Sequence, residues 1–74
     1  MDPEQTVKDF IAKVKALKAR PIADFTKEDV DEAWEDWANL ATWIKGGGFQ
    51  PPNLMEGRRW AGELDKLEKK LVSF

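Results

Sequence analysis

Apolar positions along the chain recur at three- and four-residue spacings in three separate stretches. In the first, Val7, Phe10, Ile11, Val14 and Leu17 fall on one side of a 3.6-residue period, with Lys8, Lys13, Lys15 and Lys18 around them. Asp2, Pro3 and Gln5 read as an N-cap, a first-turn proline and the reciprocal partner of a capping box. Pro21 disfavours helical geometry at Arg20, so the spacing predicts a helix over about 3–19.

The second stretch has the clearest start. Thr26 with Asp29 has the form of a capping box, and Phe25 with Val30 has the spacing of a hydrophobic staple. Val30, Ala33, Trp34, Trp37, Ala41 and Ile44 make one apolar stripe with Leu40 on its edge, and the glycines from Gly46 onward supply the C-cap, predicting a helix over about 27–45. The third start follows Pro51 and Pro52, where Asn53 and Glu56 have capping-box spacing. Trp60, Leu64, Leu67, Leu71 and Phe74 then alternate steps of four and three, a narrow seam like that of a coiled coil, over about 54–72. Three such helices with connections of about 6–9 residues predict an all-α fold, a compact three-helix bundle in a single domain spanning 1–74.

Composition sharpens this picture. A chain of 74 residues is near the size at which one core buries only a little over half of its unfolded surface, so its four tryptophans and four phenylalanines must carry much of the packing. The net charge of −2 conceals a segregation. Residues 1–20 hold five Lys/Arg against three Asp/Glu, residues 21–44 one against seven, and residues 45–74 six against four. An acidic middle between mildly basic ends argues against direct nucleic-acid binding, which calls for a basic face. With no cysteine, a polar and acidic amino terminus, and no apolar run approaching the roughly 18 residues of a membrane span, the expected setting is cytoplasmic and away from the membrane.

The reactive inventory is thin. There is one serine (Ser73), there are three threonines, and Cys, His and Tyr are absent, which leaves only carboxylates and lysines for acid–base work. A noncatalytic protein without a cofactor is expected. Glu28, Glu32 and Glu35 share one helical face, and carboxylate oxygen suits Mg²⁺ or Ca²⁺. No loop has EF-hand spacing and no histidine assists, so a solvated acidic face is expected in place of a metal site. Glu28, Asp31, Glu32 and Glu35 would then steer a basic protein partner, or imitate a nucleic-acid backbone toward a protein that binds one.

Two features carry the remaining candidates. The stretch WIKGGGFQPPN, residues 43–53, places Trp43 about 120° from the centre of the second stripe, outside the core. Either the reversing loop covers the indole with Phe49, Pro51 or Pro52, or these four residues form an exposed anchor for a partner or for self-association. Locally, WIKGGG followed by PP resembles the Trp-cage miniprotein, which implies an enclosed indole and nothing about function. The second feature is Arg58-Arg59, early in the third helix where the dipole disfavours cations. Pairing with second-helix carboxylates, Glu56 or Glu63 would compensate them; alternatively, with Lys45 and the glycine turn they would hold an anion or nucleotide. The order of a P-loop is missing. Gly57 falls near the apolar seam, where it would admit a bulky indole, and Gly62 falls opposite. The leading expectation is a small helical interaction module.

Overall fold

The computed structural model describes residues 2–24 and 26–73, with Ile22 and Ser73 described in backbone only. Helices α1 (Pro3–Lys18), α2 (Lys27–Lys45) and α3 (Leu54–Ser73) form a bundle measuring 39 × 18 × 16 Å, with a short 3-10 turn, Ile22–Asp24, between the first two. Among the described residues there is no strand, and no helix is long and apolar enough to cross a membrane.

The helix starts follow from local side-chain chemistry. Asp2 Oδ1 accepts from the Gln5 backbone N–H at 3.1 Å, satisfying one of the orphan donors of α1, while buried Pro3 occupies the first turn where no N–H is needed. The reciprocal half of that box is not made: the Gln5 side chain donates forward to Asp9 Oδ1 at 2.9 Å, one turn along. At α2 the reciprocal bond is present, Asp29 Oδ2 accepting from the Thr26 N–H at 3.0 Å. The Phe25 staple lies outside the described residues. Arg20 donates to the Asp24 carbonyl and so ties off the turn between α1 and α2.

At α3 the expected Asn53–Glu56 box gives way to a tertiary bond. Asn53 Nδ2 donates to the Glu4 carbonyl of α1 at 3.2 Å, which docks the start of α3 on the start of α1 and leaves Asn53 Oδ1 buried without a protein partner. The backbone supplies what the side chain does not, with the Leu54 N–H donating to the Pro51 carbonyl and the Gly57 N–H to that of Asn53.

Helix α1 is the centre of the bundle, since α2 and α3 each pack on it more extensively than on one another. Its Val7, Phe10 and Val14 are fully buried, and the Phe10 ring meets Trp37 at 5.0 Å and Trp34 at 6.4 Å between centroids. The stripe of α2 is rotated from the one expected. Leu40, placed on the edge, is 1 % exposed, whereas Ala41, placed in the stripe, is exposed. Val30, Ala33, Trp37, Leu40 and Ile44 form the seam turned to the core at steps of three and four, because α2 must face α1 and a large leucine gains more from burial than an alanine. In α3, Leu64 and Leu67 are buried and Trp60 and Leu71 pack against the core, extended toward the N-terminus by Leu54 and Gly57; Phe74 lies outside the described residues. A Cβ on Gly57 would fall 2.8 Å from Trp37 Cζ3 and 2.9 Å from Val7 Cγ1, so this glycine does admit an indole.

Polar side chains link the helices at the margins of the core. Lys13 of α1 pairs with Asp36 of α2 at 2.7 Å, and this hydrogen bond raises the lysine's pKa above its ordinary value. Trp34 Nε1–H donates to Glu68 Oε2 at 2.6 Å, joining α2 to α3 at a half-buried site. Lys18 pairs with Glu63 at 3.2 Å, and Lys15 and Lys18 lie 5.3 and 5.6 Å from the centroid of the Trp60 ring.

Candidate functional site

The glycine turn is a helix terminator of a specific kind. The Gly47 N–H donates to the Ile44 carbonyl and the Gly48 N–H to that of Trp43, both at 3.1 Å, with Gly47 at φ +106°. This is a Schellman arrangement, in which the left-handed residue past the helix end satisfies otherwise orphaned carbonyls. Its usual apolar contact between the residue after the left-handed one and the third-last helical residue takes an unusual form. Gly48 lies flat against the Trp43 indole, where a Cβ would come within 2.6 Å of Cζ3 and closer still to Cε3. Phe49 then meets the indole edge-on, at 5.3 Å between centroids and 80° between planes.

The turn therefore covers its own tryptophan. Trp43 is half-buried outside the core cluster, Pro51 is buried, and Pro52 is exposed. The aromatic left on the surface is Phe49, which is 68 % exposed. Gly48→Ala is expected to displace the indole, abolish the Trp43–Phe49 ring contacts in an NMR spectrum and lower stability by about 1 kcal/mol; unchanged contacts would mean the turn does not depend on the missing Cβ.

The acidic residues stay in solvent. Glu28, Asp31, Glu32 and Glu35 are all exposed, and none has a basic partner within 4.0 Å among the described residues. Their face lies opposite the seam that α2 turns to α1, an outward ridge of negative potential. No group of three or more carboxylates that could hold a metal ion forms among the described residues.

The three cations proposed to act together are divided. Lys45 and Arg58 line one open concavity of about 550 Å³ between the C-terminal half of α2 and the start of α3. Arg59 is not part of it. Its charge is felt by Glu63, whose carboxyl is held below the ordinary glutamate range first by the hydrogen bond and charge of Lys18, then by Lys66, and least by Arg59. Adjacent positions on a helix are about 100° apart, so consecutive arginines diverge. Neither Arg58 nor Lys45 has a carboxylate within 4.0 Å among the described residues, so the compensation expected for Arg58 is not present.

The concavity itself was not legible in the spacing. Trp37, Ala41, Ile44 and Leu54 give it an apolar lining, Ala38 and Thr42 form its outer lip, and the glycine turn is represented there by Gln50 beyond it. It exists because α2 and α3 pack on each other least, and because alanines at 38 and 41 leave unfilled the space that larger residues would occupy. The signal that would have found it is the pair of alanines on the α3 side of α2, next to two cations without partners. A second concavity, between α1 and the start of α3, contains Lys8, Lys15 and Asn53 and has no comparable apolar floor. Set against protein-family models, curated proteins and solved structures, the chain matches none of them.

Proposed function

We propose that this protein is a small noncatalytic interaction module of the cytoplasm that binds another protein chain through the α2–α3 concavity, with the acidic ridge of α2 steering the approach. The observation that carries this reading is the apolar floor of Trp37, Ala41, Ile44 and Leu54 beside the unpaired cations Lys45 and Arg58. Apolar surface rimmed by charge suits an amphipathic helix, whose apolar residues fill the floor, whose acidic residues meet Lys45 and Arg58, and whose basic residues face the acidic ridge. The one serine and three threonines, with no histidine, cysteine or tyrosine, offer little for catalysis. The Trp43–Phe49 turn remains a secondary contact through the exposed side of Phe49.

The test is Ala41→Arg, which fills the concavity from an exposed helical position and adds a third cation to its wall. Affinity capture is expected to retain a partner on the native chain and to lose it by roughly 10-fold or more on the variant, with helical circular dichroism unchanged. Equal retention by both chains would remove the concavity from the account.

The same two cations favour a second reading, an anionic ligand with an apolar body held by Lys45 and Arg58. A thermal-shift screen separates the two, because a ligand at about 100 times its dissociation constant adds about 2.7 kcal/mol to stability. No shift with apolar carboxylates, nucleotides or phosphate would dismiss the small ligand.

A further inference from the structure

The surface of α2 beside the concavity carries its own complement. Asp31, Glu35, Ala38, Thr42 and Lys45 are all exposed and succeed one another at steps of four, three, four and three, the spacing of a helix-pairing seam. The seam is acidic at its N-terminal end, small at its centre and basic at its C-terminal end. Asp31 and Lys45 stand seven residues on either side of Ala38, or about 10 Å along the axis. We propose that α2 pairs antiparallel with the α2 of a second copy, across a two-fold axis at Ala38, so that Asp31 of each chain meets Lys45 of the other. This rests on the reading of the concavity as part of a protein-docking surface, and names a second copy as the partner that covers its α2 wall, Ala38, Thr42 and Lys45.

Three physical points favour that arrangement. An antiparallel pairing centred on Ala38 opposes position 31 of each chain with position 45 of the other, which gives two attractive contacts, whereas a parallel pairing opposes Asp31 with Asp31 and Lys45 with Lys45. Alanine at the axis lets two helices approach to about 8 Å, near the lower end of ordinary helix spacing. Arg58, across the concavity from Lys45 and also without a carboxylate within 4.0 Å among the described residues, brings a second cation to the incoming Asp31. One helix face per chain buries an area at the small end of stable interfaces, below about 1,200 Å², so the dimer is weak and concentration-dependent. Its contacts are exposed ion pairs, which added salt weakens.

The experiment is sedimentation equilibrium of the intact chain over a low-micromolar to millimolar series, for the native protein, Asp31→Lys and Lys45→Asp, each checked for native helicity. The native mass is expected to rise from the 8.5 kDa of one chain toward twice that value. Each single reversal makes both symmetry-related contacts repulsive and is expected to weaken association roughly 10-fold. Mixing the two variants is expected to restore it, because in their heterodimer the two lysines of one chain face the two aspartates of the other. A native monomer throughout the series, a dimer indifferent to either reversal, or a mixture no more associated than its components would overturn the proposal. Failure here alongside successful capture that Ala41→Arg abolishes would point to a foreign helix in the concavity, whereas failure of both would remove the docking reading itself.

Discussion

Phe10→Ala is expected to lower the free energy of unfolding by about 4 kcal/mol, the largest loss of any single truncation in this chain. The ring is fully buried on the central helix and is shared by Trp34 and Trp37 of α2, so its removal loses apolar transfer energy and leaves a cavity that rigid indoles close poorly. Stabilities of roughly 0.05–0.15 kcal/mol per residue place a chain of this size near the bottom of the range in which such a loss is survivable. Urea titration should show a much reduced midpoint, or a chain already largely unfolded without denaturant. A loss below about 1.5 kcal/mol would mean that the three aromatics do not form one packing unit.

The second large effect comes from a glycine. In a helix interior, Gly→Ala ordinarily gains up to about 1 kcal/mol. At Gly57 the sign is expected to reverse, with Gly57→Ala destabilising by about 2 kcal/mol, because the new Cβ would press on the edge of Trp37 and on Val7, both held by the core. Gly62 supplies the internal control. It lies in the same helix, exposed, with nothing within 4 Å of the position its Cβ would take, so Gly62→Ala should stabilise by about 1 kcal/mol. Thermal or urea denaturation of the two variants reads both signs. Stabilisation by Gly57→Ala would show that α3 slides away from Trp37 without cost, and the seating of that indole would need revision.

The helices were legible because their signals are local. Asp2, Pro3, Thr26, Asp29 and the three glycines act within a turn of their own positions, and the observed helices agree with the expected ones to within about one residue at each end. What escaped the sequence depends on partners far along the chain. Leu40 and Ala41 are neighbours in sequence with opposite fates, decided by which side of α2 faces α1. Asn53 abandons its capping role for the Glu4 carbonyl, and Trp34 finds Glu68, in each case through a bond whose ends are more than thirty residues apart. The candidate site divides in the same way. Trp43 was legible as lying outside the core, because periodicity alone sets its direction. That Gly48 rather than a proline would lie flat on it depends on loop geometry that residue types do not specify. Lys45 and Arg58 were both candidates, but only the packing of α2 on α3 brings them to one wall and sends Arg59 to another.

The glycine turn thus acts as a joint: it ends α2, covers Trp43 and returns the chain to start α3. The working surface we propose lies instead along the outer side of α2, from Asp31 to Lys45, and on the first turns of α3. The most direct test of that placement is the residue-by-residue change in amide chemical shifts of the isotopically labelled chain between its dilute and its associated states. The largest changes are expected at Asp31, Ala38, Ala41, Lys45 and Arg58, with little movement at Gly47 and Gly48. Changes concentrated instead on Trp43, Phe49 and the residues around Pro52, with the concavity silent, would contradict it and make the turn the contact surface.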